Sequence, residues 1–313
     1  MGIRQSGIIG LKKQITRRLL KNYHVARMHY HHKLYQKALQ YNQPPLLIYQ
    51  MGKVGSRTIR ESLKVLNVDR QVFHVHFLAQ ERVRELEKGH QKYFGTKKQH
   101  LLNRVWQCQY LRKQIAKDMN GGKWKIVTLT RDPISRNIST FFQQLEVERL
   151  ADDHCYRVQS DYYDFEIVLN IEYMDELVQL FFERPYHDRP LMYFDQEIKS
   201  VLGIDVYSSE FPISKGYKVY KGEHADVLLI RLENLNSCAR DAFKEFLGIE
   251  EFSLTNTNIG SEKVYAPIYK RIKGSIILPD SYMDKMYTSK YARHFYSEEE
   301  IARFRARWMT SRN

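Results

Sequence analysis

Apolar runs of strand length alternate with amphipathic stretches along most of the chain. Leu46–Tyr49 and Trp124–Thr130 are nearly continuous apolar runs, each predicting a strand. Residues 71–77 alternate strictly, placing Phe73, Val75 and Phe77 on one face and His74 and His76 together on the other. Between these runs the period changes. From Ser56, which reads as an N-cap, Ile59, Leu63 and Leu66 recur at helical spacing. Residues 79–117 predict charged helix with a break near 90–95. Asp132 and Pro133 predict the cap and first position of a helix whose core face is Ile134, Ile138, Phe141, Phe142 and Leu145. Residues 165–182 carry helical periodicity within an acidic, aromatic region. Residues 217–220 and 227–231 predict strands around the turn 221–224, and 236–247 a helix ended by Gly248. A polar loop at 256–263 precedes a basic helix with Lys270, Arg271 and Lys273, and Ser297 with Glu300 forms a capping box for the last helix. Strands alternating with helices predict an α/β fold, a central parallel sheet flanked by helices.

Pro44-Pro45 separates residues 1–43 from a single α/β domain spanning 44–313. The first segment is basic and helix-prone. Such an arm either packs on the main domain or makes peripheral contact with an anionic membrane face. Its histidines, His24, His29, His31 and His32, lack a nearby carboxylate or cysteine and predict mostly exposed side chains, not a metal site. The formal charge of +14 favours an anionic partner, although the basic residues form no stripe or reader motif that predicts specific nucleic-acid binding. Cys108, Cys155 and Cys238 are far apart and form no Cys-x-x-Cys pair, so neither a disulfide framework nor a zinc site is expected. No apolar run approaches the ~20 residues of a membrane span. A cytoplasmic protein is expected.

Candidate chemistry begins where the first strand ends. Gly52-Lys53-Val54-Gly55-Ser56-Arg57-Thr58 joins an apolar run to a helix start. A strand turning into a helix N-terminus leaves amide N–H groups outward and partly positive, and Lys53 adds a full charge. Two readings stand: an ordinary turn, or a nest for a phosphate-like oxyanion. The triphosphate P-loop is a poor match, because its lysine follows the second glycine and precedes a hydroxyl residue, whereas Lys53 precedes Gly55 and is followed by Val54. Arg131 stands at a strand end, where a guanidinium makes a good bidentate phosphate ligand. His74 and His76 are either a satisfied half-buried pair or the source of a general base.

In order and spacing these pieces resemble the sulfotransferases that use 3′-phosphoadenosine 5′-phosphosulfate. Lys53-Val54-Gly55-Ser56-x-Thr58 resembles their 5′-phosphosulfate loop, although Arg57 stands where many relatives carry a small hydroxyl residue. Arg131 with Ser139 resembles their 3′-phosphate site, and His74-x-His76 is similar to the histidine pair of uronyl 2-O-sulfotransferases. Residues 291–296 resemble the ending of Golgi-type carbohydrate sulfotransferases, and the whole pattern resembles bacterial capsular polysaccharide synthesis proteins of the sulfotransferase-like group. The resemblance implies a P-loop-like sulfotransferase fold, that donor as co-substrate, no metal, and a carbohydrate or polysaccharide acceptor. It implies that Lys53, Val54, Gly55, Ser56, Arg57, Thr58, Arg131 and Ser139 hold the donor, with His76 as base beside Lys53 and His74. The competing expectations are a nucleotide phosphotransferase and a basic binding module without enzymatic activity.

Overall fold

The computed structural model describes residues 21–91, 99–117, 123–149, 155–160, 165–170, 175–184, 186–255, 266, 268–270 and 276–309. Its centre is a five-stranded sheet in the order β2-β1-β3-β8-β7. The strands are β1 (Leu46–Tyr49), β2 (Val72–Val75), β3 (Trp124–Thr130), β7 (Tyr217–Lys221) and β8 (Ala225–Arg231). β1 and β8 are buried at every position, the condition that makes a strand read as one apolar run. β2, β1, β3 and β8 are mutually parallel. β7 pairs antiparallel with β8 from Tyr217 opposite Ile230 to Lys221 opposite Asp226. The sheet is therefore mostly parallel with one antiparallel edge. A connection of three residues can only form a hairpin, since a parallel return needs a crossover of a dozen or more.

Helices complete the fold: α1 (Tyr23–Ala38), α2 (Ser56–Val65), α3 (Gln80–Gln91), α4 (Gln99–Ala116) and α5 (Pro133–Gln143). After them come α6 (Asp175–Phe182), α7 (Arg189–Tyr193), α8 (Leu235–Leu247), α9 (Asp280–Tyr287), α10 (Lys290–Phe295) and α11 (Glu298–Met309). α7 runs into a π-helical turn, Phe194–Lys199. α1 lies on α4, where Ala26, Leu102 and Trp106 form a small cluster apart from the main core. His31 bonds to the Trp106 carbonyl at 2.8 Å, so that histidine is a packing group. No helix among the described residues is long and apolar enough to cross a membrane.

Two local expectations are corrected. Residues 165–182 are not one helix: Phe165–Asn170 is strand β6, and only α6 is helical. β6 belongs to an antiparallel sheet of three with β4 (Glu146–Arg149) and β5 (Cys155–Ser160). Ladder pairing with β5 from Ser160 opposite Phe165 to Cys155 opposite Asn170 overrides the local helical spacing. At α2, Ser56 is the first helical residue and Gly55 occupies the cap, at φ 91° with no side-chain cap bond. The predicted polar loop at 256–263 lies outside the described residues.

The sheet order locates the crevice. The chain leaves β1 towards β2 on one side, while β3 lies on the other side of β1. The carboxyl ends of β1 and β3 therefore flank a topological switch point, where open α/β sheets bind ligands.

Candidate functional site

The loop after β1 bends through two left-handed residues, Lys53 at φ 71° and Gly55 at φ 91°. Glycine adopts that conformation without penalty, whereas a lysine held there is strained, the kind of outlier that gathers at ligand sites. A side chain at position 55 would also meet Leu232 Cδ1 at 2.6 Å, so the loop packs tightly on the chain leaving β8. The bend sends Val54 into the core, fully buried, and leaves only its backbone for a ligand. Lys53, Gly55, Ser56, Arg57 and Thr58 line a cavity of about 530 Å³ at the N-terminus of α2.

Arg131 enters the same cavity from the end of β3. Its Nη1 donates to the Lys53 carbonyl oxygen at 2.9 Å, so the two loops are joined directly. Ser139, on the second turn of α5, lines the cavity too. α5 starts as its sequence dictates: the Asp132 carboxylate accepts from the Ile134 amide at 3.1 Å, and Pro133 takes the first position. The same carboxylate accepts from Ser135 Oγ at 2.5 Å and Tyr287 OH at 3.0 Å.

The elbow around Arg131 is held from the far end of the chain. Tyr291 OH donates to the Arg131 carbonyl at 2.8 Å and accepts from the Arg131 amide at 3.1 Å, with Thr130 Oγ1 as a further partner. Glu233 accepts from the Asp132 amide at 2.8 Å. Tyr291→Phe should cost about 1–3 kcal/mol, the price of stranding buried polar groups, and weaken anion binding at Arg131. Urea unfolding and calorimetry on one protein sample check both parts.

His74 and His76 project from the carboxyl end of β2 into this cavity, ring centroids 4.8 Å apart and edge to face at 79°. His76 Nδ1 lies 2.9 Å from the Gln50 carbonyl oxygen. A carbonyl only accepts, so Nδ1 carries the proton and Nε2 keeps its lone pair. Burial lowers the His76 pKa from its ordinary value, against a raising contribution from the Gln50 bond, and Arg104 and Arg136 lower it further. His74 is lowered to about 3, by burial first and then by His76, Arg60 and Arg104. Its Nε2 is buried without a hydrogen-bond partner among the described residues.

That lowering ties stability to pH. Unfolded, His74 takes up a proton below its ordinary value of 6.5, whereas folded it stays neutral until about 3. The unfolded state binds more protons in that window, so stability is full above it and falls as pH drops through it. His74→Gln removes this contribution. Urea unfolding should show the wild type losing more stability between about pH 7 and about pH 5 than the variant does. Equal losses would contradict a neutral buried His74.

Two supporting residues escape a reading by motif. Arg136 is buried, and its Nε donates to the Gly52 carbonyl at 3.2 Å, bracing the loop opposite Arg131. Two positions from both Ile134 and Ile138, Arg136 falls on the opposite side of the helix from the apolar stripe, so the periodicity gives no signal that marks it. Glu197, on the π-helical turn, accepts from Tyr49 OH at 2.5 Å and from the Leu78 and Ala79 amides at 2.8 Å each. It thereby fixes the turn directly after His76, and burial raises its carboxyl pKa. Among the described residues no group of three or more His, Cys, Asp or Glu is placed to hold a metal ion.

The cavity wall carries Lys53, Arg57, Arg60 and Arg131 and no carboxylate among its described residues. Residues 164–297 match the model of a family described as "Putative capsular polysaccharide synthesis protein". The match spans less than half of the chain, from ahead of β6 to the cap of α11. It includes the Tyr291 and Glu233 struts, while the β1 loop, the two histidines, Arg131 and Ser139 precede it. Comparison with curated proteins and with solved structures gives no match.

Proposed function

We propose that this chain is a sulfotransferase of P-loop-like fold, moving the sulfuryl group of 3′-phosphoadenosine 5′-phosphosulfate to a hydroxyl of a carbohydrate acceptor in capsular polysaccharide synthesis. The observation that carries the reading is the bond between Arg131 and the Lys53 carbonyl, within one cavity that also holds Ser139 and His76. A nucleotide charged at both ends of its ribose needs two cationic grips held near one another, and Lys53 and Arg131, whose loops this bond joins, are the candidates for them. The α2 N-terminus, Lys53, Ser56 and Thr58 would take the phosphosulfate end, and Arg131 and Ser139 the 3′-phosphate. Phe142 and Tyr269, ring centroids 5.1 Å apart, supply an aromatic wall for the base.

In the transfer, an O–S bond forms to the acceptor and the S–O bond to the 5′-phosphate breaks. Adenosine 3′,5′-bisphosphate and one proton are released. His76 Nε2 takes the proton from the attacking hydroxyl, a role open to it because Nδ1 is committed to Gln50. Lys53 and the loop amides offset the negative charge that grows on the bridging oxygen. His74, neutral and beside it, holds the His76 ring edge to face. A magnesium triphosphate would need an acidic ligand near the loop, and the described wall has none.

Calorimetry with adenosine 3′,5′-bisphosphate and with ATP separates the two nucleotide classes. The proposal expects tight binding of the bisphosphate without magnesium and weak binding of ATP. Magnesium-dependent ATP binding with no response to the bisphosphate would replace it with phosphoryl transfer.

A further inference from the structure

A second chamber of about 330 Å³ backs onto the first, sharing Gly52, Lys53, His74, His76 and Gln143 as a partition. His76 thus faces both spaces. Beyond the partition the chamber is lined by Arg82, Arg104, Arg136 and Arg189 and by the amides of Gln107 and Gln144, with no carboxylate among its described lining residues. Glu85 pairs with Arg82 at 2.8 Å and so engages that guanidinium, leaving Arg104 as the lining arginine on α4; Glu87 is engaged by Tyr23 and Arg27 on α1, and Asp188 pairs with Lys285 at 2.8 Å. Val83, Leu86, Leu101 and Val105 give the same chamber an apolar side. Guanidinium groups, amides and an apolar wall together match an oxyanion, ring hydroxyls and the flat face of a sugar ring.

We infer that this chamber is the acceptor subsite and that it selects an anionic saccharide, one whose carboxylate or phosphate group is gripped by Arg104 and its neighbouring guanidinium groups. The inference rests on the sulfuryl-transfer reading for the role of the hydroxyl it presents to His76. Arg104 is the discriminating residue. It lines this chamber and not the first, and it is exposed, so its removal leaves the donor grips and the core intact.

The test is direct binding by calorimetry, with and without saturating adenosine 3′,5′-bisphosphate. The probes are a tetrasaccharide of hexuronic acid, a phosphodiester-linked tetrasaccharide and a neutral hexose tetrasaccharide. At least one anionic probe should bind about ten- to a hundredfold more tightly than the neutral one, the worth of a charge-assisted pair. The two anionic arms tell carboxylate from phosphate. Arg104→Ala should abolish most of that preference while bisphosphate binding stays at the wild-type level. Equal affinity for charged and neutral probes, no binding by any of the three, or an unaltered preference in Arg104→Ala would overturn the inference. Absence of bisphosphate binding in the wild type, with the anionic preference present there and lost in Arg104→Ala, would overturn the donor reading alone.

Discussion

His76→Ala is expected to lower turnover by roughly a hundred- to ten-thousandfold, the usual contribution of a positioned general base, while adenosine 3′,5′-bisphosphate binds as in the wild type. The separation follows from position. His76 reaches the cavity from β2 with Nδ1 anchored on the Gln50 carbonyl, where the loop leaves β1, and among the described residues its contacts are Gln50, His74 and Phe77, not the anion-facing residues 53–58 or Arg131. Its lowered pKa keeps the imidazole neutral at pH 7, so the rate should hold its plateau to a pH below the ordinary 6.5 before falling on the acid side. Single-turnover kinetics across pH, beside calorimetry on the same variant, check both halves. Unchanged turnover would remove His76 from the chemistry, and equal loss of turnover and binding would indicate a collapsed site.

Arg131→Ala should weaken bisphosphate binding by roughly a hundredfold, the value of a charge-assisted fork, with a smaller effect on the chemical step once the site is saturated. The loss has two sources. The phosphate loses its guanidinium, and the Lys53 carbonyl loses the donor that ties the β1 loop to β3. Arg131→Lys separates them, since an ammonium restores charge without the planar fork. Binding should recover only in part. Titration calorimetry on both variants decides, and wild-type affinity in Arg131→Ala would place the 3′-phosphate elsewhere.

Much of the framework was legible because its signals are local. The run Trp124–Thr130 followed by Asp132 and Pro133 states a strand, a cap and a helix start within a few residues, and the structure has all three there. The capping box is equally local: the Ser297 amide donates to Glu300 at 3.1 Å and the Glu300 amide to Ser297 at 3.2 Å. Reading failed where a distant partner decides. Phe165, Val168 and Leu169 fit a helical stripe as well as Phe165, Ile167 and Leu169 fit a strand, and pairing with β5 settles the choice. Ser56 looks like a cap by its side chain, yet the left-handed bend at Gly55 takes that position. Arg136 and Glu197 support the site through a loop carbonyl and a turn far away in sequence, so no motif contains them.

The struts that hold the crevice have a consequence for how the molecule is made. Tyr291 steadies Arg131 across 160 positions, and Glu197 steadies Leu78 across 119. On the ribosome, β1, β2 and β3 emerge with Lys53, His76 and Arg131 long before either strut has been synthesised. Contacts that span such separations form late, after loop closure has been overcome. The nascent chain therefore carries Lys53, Arg57, Arg60 and Arg131 without their fixed arrangement, and the elbow at Arg131 is braced only once Tyr291 has been added.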